Sequence, residues 1–264
     1  IRICSVLEEL PTRRPVSKLS SLGDISMIDD QPADARDAAT APFRVLEKRV
    51  YQGPNLYSRR PMVRIRVDLG ELENWPTKRL PSFTEALLSL LPGLAHHGCS
   101  CRMSGGFPSR LKEGTWLGHV IEHVALELQT AAGSPVSRGK TRSVSGQPGV
   151  YDILFRYRDD ALALAAGGAA VRLVLALLPA DLAGWRGEDR LPPPLNNDPK
   201  DVPGLVRALS EVLARNALGP TTNALAEEAR RRGIPTLRLD KQSFVQLGYG
   251  SRQHRLRASI TDKT

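Results

Sequence analysis

The sequence predicts an α/β fold of the α+β kind, a small mixed sheet with helices packed on it. Three patterns point there. Met62–Gly70 alternates Val63, Ile65, Val67 and Leu69 with Arg64, Arg66 and Asp68, the period of a half-buried strand with a charged outer face. Thr115–Ala132 is the strongest helix and stops at Gly133 with Pro135 just beyond. Gly149–Asp159 reads as another strand and leads into Ala161–Leu178, an alanine-rich stretch that reads as a buried helix.

In chain order, residues 1–44 are rich in Ser, Pro, Asp and Arg, keep no period, and read as a flexible extension. Ile1 is not a natural start, so the chain reads as truncated there. RVLEKRVYQ, just after Phe43, alternates like a strand, and Gly53–Asn55 is a turn. Pro81–Leu94 reads as a helix, with Pro81 at its first position and Leu87, Leu88, Leu90 and Leu91 as its apolar stripe. The stretches 96–112 and 134–148 read as loops. A Pro/Gly/Asp-rich segment then separates a unit at 45–190 from a second at 204–264, with 191–203 as linker. The second unit reads as helices Leu205–Arg215 and Thr221–Arg232, a short strand in GIPTLRLD, and two strands around a Gly-rich turn.

Composition narrows the function classes. Of 264 residues, 41% are hydrophobic and 25% charged, as in soluble globular proteins. The longest apolar stretch carries Arg172 and is too alanine-rich for a membrane span, and no signal peptide is visible. Three cysteines, Cys4, Cys99 and Cys101, make no disulfide framework, and a reducing cytoplasm is the simplest setting. The net charge of +9 suggests an anionic partner, yet only 5% of residues are aromatic and no nucleic-acid-binding motif appears, so nucleic acid is not expected.

The sharpest motif is His119-Val120-Ile121-Glu122-His123. On a helix, His119 and His123 share a face and can offer two imidazoles to one ion, with Glu122 one step aside as a base for water. Zn²⁺ suits imidazole. The bland alternative is a polar helix face on which His123 pairs with Glu127 or Glu122. A thiolate at Cys99, in the loop with His96 and His97, would complete a three-ligand set; Cys101 is a second thiol candidate, and a small buried side chain is the alternative for Cys99. Glu127 reads as a partner holding His123 rather than a ligand. Arg110, Lys112 and Glu113 form a charged rim able to hold a substrate's acid and base groups, with exposed surface as the alternative. Gly248-Tyr249-Gly250, followed by Arg252, His254, Arg255 and Arg257, is either a phosphate-holding turn or a plain hairpin.

Three stretches, VYQGPNLYSRRP, HHGCS with GGFPSRLKEGTWLGHVIEHVALELQ, and the run from Leu218 to Thr264, make Arg49–Thr264 resemble the cyanophycin synthetases. The resemblance implies an N-terminal domain at 45–190 and the opening of an ATP-grasp domain at 204–264. The parent would be an ATP- and Mg²⁺-dependent ligase joining aspartate and arginine into cyanophycin, as a homo-oligomer, a tetramer. It further implies a metallopeptidase-like site that cuts the polymer into primers, with Cys99, His119 and His123 as Zn²⁺ ligands and Glu122 as base. Cys101 departs from the family pattern, which would place a second cysteine near Met103. The other readings are a non-catalytic polymer tether and a structural support for the ligase.

Overall fold

The computed structural model describes residues 41–99, 103–187, 190–240, 242–258 and 260–261. Cys4, Cys101 and nearly all of the 1–44 extension lie outside the described residues.

Strand β1 (Arg44–Tyr51) pairs antiparallel with β2 (Met62–Asp68). Between them the Asn55 side-chain oxygen accepts the backbone N–H groups of Tyr57 and Ser58 at 2.9 and 3.0 Å, the local bonding that makes Asn a turn residue. The chain continues through helices α1 (Phe83–Leu90), α2 (Gly106–Glu113) and α3 (Leu117–Ala131) to the hairpin β3 (Gly139–Val144) and β4 (Gln147–Arg156). Helix α4 (Asp160–Ala176) follows, its N-terminus capped by Asp159, whose carboxylate accepts Leu162 N–H at 2.8 Å.

The sheet order is β1-β2-β4-β3, and every neighbouring pair is antiparallel. The mixed sheet expected from the sequence is therefore corrected to an antiparallel one. The helical excursion does return β3 in the direction of β2, but the hairpin then folds β4 between the two, so no parallel neighbours result. Val63, Ile65, Val67, Ile153 and Phe155 are fully buried and share one core with the apolar residues of α3 and α4. The opposite face carries an ion-pair array: Arg66 grips Asp152 through two bonds of 2.8 and 2.9 Å, and Arg64 pairs with Glu47 and Asp152. That face is charged as expected, though Arg64 is only 6% exposed.

Two stretches read as loops contain elements. Strand β3 lies within 134–148, and α2 begins within 96–112. Strand β3 sits at the sheet's edge, packs mostly polar side chains, and so shows little apolar alternation. Helix α2 opens with Gly106 and Pro108, which read as loop but are tolerated in a first turn.

Helices α5 (Val202–Arg215) and α6 (Pro220–Arg231) precede a second antiparallel sheet of order β5-β6-β7-β8. Its strands are β5 (Thr236–Arg238), β6 (Phe244–Leu247), β7 (His254–Arg257) and β8 (Ile260–Thr261); the last is one more than expected. Leu205 and Leu209 of α5 enter the same buried core as α4, and the described residues form one compact unit. Among the described residues no helix is long and apolar enough to cross a membrane.

Candidate metal centre

The site is built at the start of α3, where the sequence changes from a Gly-rich loop to an apolar helix. Thr77 pins the entry: its hydroxyl donates to Leu111 O at 2.7 Å and accepts Thr115 N–H at 2.9 Å. Thr115 is thereby held 3.0 Å from His119 Nδ1, through Oγ1, one helical turn on. With Nδ1 occupied, His119 turns Nε2 toward Cys99, 3.5 Å from its Sγ. One donor atom each from Cys99, His119 and His123 lie within 4.8 Å of one another. The residues thus fit a single ion: two imidazoles and a thiol from two segments converge as a His₂Cys set.

His123 is fixed from two sides. Its ring stacks on Phe107 of α2, 3.9 Å between centroids at 14°. Its Nδ1 lies 2.9 Å from His97 Nδ1, and His97 Nε2 lies 2.9 Å from Glu127 Oε2. A carboxylate only accepts, so His97 Nε2–H donates to Glu127. With His97 Nδ1 as the acceptor, His123 donates from Nδ1–H, which leaves Nε2 as the lone-pair nitrogen of His123. Glu127 therefore holds His97 rather than pairing with His123, as the sequence reading had it. Gly93 makes this possible, since a Cβ there would lie 1.8 Å from Glu127 Oε1.

Burial sets the protonation states. Desolvation, with a smaller push from the Arg110 charge, lowers His119 to about 4. Desolvation, then His119 and His97, lowers His123 to about 2. Both rings are neutral near pH 7, the form that can ligate a metal. Glu122 moves the other way: burial raises its carboxyl to about 7, against the bond it accepts from Thr141 Oγ1 at 2.7 Å. Its carboxyl lies between α3 and β3, beneath Gly139, where a Cβ would come within 2.5 Å of Oε1.

Of the rim residues, Arg110 bonds Glu113 at 3.3 Å on α2 and acts electrostatically on His119, while Lys112 is exposed. His96 is exposed, as a solvated loop residue should be; His97 is not. His97, Phe107, Thr115 and Thr141 lie outside the His119/Glu122/His123 spacing and drew no role from it, although the first three stand in stretches that carry the family resemblance. The Gly-rich turn expected to hold phosphate or form a hairpin places Gly250–Arg252 in a short 3₁₀ turn between β6 and β7, which pair antiparallel.

Residues 64–179 match the family model of the cyanophycin synthase-like N-terminal domain. This segment belongs to that family. The domain so defined contains Cys99, His119, Glu122 and His123, together with His97, Arg110, Glu127 and Thr141. Curated relatives extend the likeness on both sides of it. The cyanophycin synthetase of Geminocystis herdmanii is 38% identical over 224 residues, covering 84% of this chain and 24% of that protein. That of Trichormus variabilis is 40% identical, covering 84% and 23%, and that of a Synechocystis strain is 37% identical, covering 83% and 24%. The chain thus spans about a quarter of the length of these relatives.

Proposed function

We propose that this chain is the polymer-handling part of a cyanophycin synthetase, and that its metal centre cuts the polymer into shorter primers. The observation that carries the reading is the convergence of Cys99, His119 and His123, with Glu122 beside them on the same helix. Zn²⁺ fits this donor set, and when bound it would supply Lewis acidity toward the scissile carbonyl and acidify water. The protein's own groups do the rest. Cys99, His119 and His123 would hold the ion, while His97 and Glu127 fix the ring of His123. Glu122, with a carboxyl poised near neutrality, takes the proton of the attacking water and passes it to the leaving amine. Arg110, Lys112 and Glu113 would bind the polymer's carboxylate and guanidinium groups. In this reading residues 45–190 are the polymer-handling domain and 191–203 the linker. Residues 204–264 open the ATP-grasp domain of an oligomeric cytoplasmic ligase that joins aspartate and arginine with ATP and Mg²⁺.

The bond from Thr141 favours a second reading, in which Glu122 is structural and the domain only tethers polymer. One experiment separates the two. Purified chain with zinc is incubated with cyanophycin, and polymer length is followed over time. Glu122→Gln keeps the size and the Thr141 contact but cannot take a proton, so it should bind zinc normally and cut at least ~10²-fold more slowly. Unchanged polymer length with the wild type, or equal cutting by Glu122→Gln, overturns the hydrolase reading.

A further inference from the structure

A cleft of about 1010 Å³ shares no residue with the metal centre. One wall comes from the β1–β2 connection and the end of β4, the other from α6 and the start of β5. Six arginines line it, Arg59, Arg60, Arg156, Arg158, Arg230 and Arg231, against two glutamates, Glu227 and Glu228. The two acids are already engaged. Glu227 accepts from Arg230 at 2.7 Å, and Glu228 is gripped by Arg231 through two bonds and also by Arg232. Asp159, beside Arg158 in sequence, is occupied as the cap of α4 and by Asn216.

The facing wall has no such compensation. Among the described residues, Arg59, Arg60, Arg156 and Arg158 have no ion pair. Arg156 is half-buried, and its guanidinium is held below its ordinary range by burial and then by Arg60, Arg138 and Arg158. Like charges gathered in a concavity work against the fold, and low-dielectric walls strengthen the field they create. A ligand supplying the missing negative charge would relieve that repulsion. One acid group would neutralise only one of the guanidiniums, whereas each can take a carboxylate or phosphate through two parallel bonds.

We propose that this cleft binds an anion carrying two or more closely spaced acid groups, carboxylate or phosphate, through Arg60, Arg156 and Arg158. The proposal stands independently of the metal centre, and its test reads zinc content separately. Inorganic tripolyphosphate and a blocked tetra-aspartate peptide are titrated calorimetrically into the purified chain and into Arg60→Gln/Arg158→Gln. Both replaced side chains are exposed, so the fold should persist, and the melting temperature of the ligand-free variant should equal or exceed that of the wild type. At least one probe should bind the wild type, and bind the double variant at least ten-fold more weakly, with zinc content unchanged. Binding of tripolyphosphate alone identifies a phosphate ligand; binding of the peptide alone identifies a polycarboxylate. Heat from metal chelation would be the same in both proteins. Failure of both probes to bind the wild type, or equal affinity for the double variant, overturns the proposal.

Discussion

His97 lies outside the His119/Glu122/His123 motif, yet it joins the candidate metal centre to a carboxylate. The chain of bonds from Glu127 through His97 to His123 presents one nitrogen of His123 as a lone pair. Partners of this kind commonly govern metal affinity by ten- to a hundred-fold. We expect His97→Phe, which keeps the ring and removes both nitrogens, to weaken zinc binding about 10- to 100-fold. Glu127→Gln should act in the same direction but less, since an amide still accepts from His97. Competition with a chelator of known affinity measures both, and wild-type affinity in His97→Phe would reduce His97 to packing. Zinc retained by His119→Ala at full stoichiometry would remove the centre altogether.

At the scale of elements, the site depends on α3 lying close beneath the edge strand β3. The contact is tight at Gly139, where the Glu122 side chain occupies the space a Cβ would take. Gly139→Ala must displace either the strand or a buried carboxyl, and overpacking of that kind costs about 1–3 kcal/mol. The melting temperature should fall accordingly, while Lys140→Ala, one position along and exposed, should leave it nearly unchanged. An unchanged melt for Gly139→Ala would mean that Glu122 moves freely and is not held against β3. Helix α2 plays the matching part on the other side, laying Phe107 against His123.

For the whole molecule, the buried titratable groups impose opposing pH dependences on the metal-free protein. His119 and His123 are depressed to about 4 and about 2, so the unfolded chain takes up protons first as pH falls below about 6.5. Their contribution is intact above that value and is lost progressively on acidification. Glu122 is raised to about 7, so its contribution is full below about 4.5 and is lost as pH rises through 7. The three groups together favour a stability maximum near neutrality. Glu122→Gln removes only the alkaline loss. Its melting temperature should match the wild type near pH 4.5 and exceed it by pH 8, by the equivalent of about 3 kcal/mol. A constant difference across that range would show that Glu122 titrates normally.

The sequence by itself determined the α/β class, the two well-patterned strands β2 and β4, the helices α3 and α4, and the His119/Glu122/His123 spacing. Each of these is a local pattern: a period of two or of 3.6 needs only neighbouring residues, and i,i+4 places two histidines on one face whatever surrounds the helix. The long stretches around that motif were also enough to show the likeness to cyanophycin synthetases. Tertiary structure decided the rest. The antiparallel order follows from where the β3–β4 hairpin inserts, which no local pattern encodes. Strand β3 is polar because it lies at an edge, and α2 is hidden behind Gly106 and Pro108, so neither has the apolar period that marks an element. The pairing of Glu127 with His97 joins residues 30 positions apart across space left by Gly93. The arginine cleft, likewise, brings together the β1–β2 connection, β4 and α6, whose charges look like ordinary solvated surface until folding sets them facing one another.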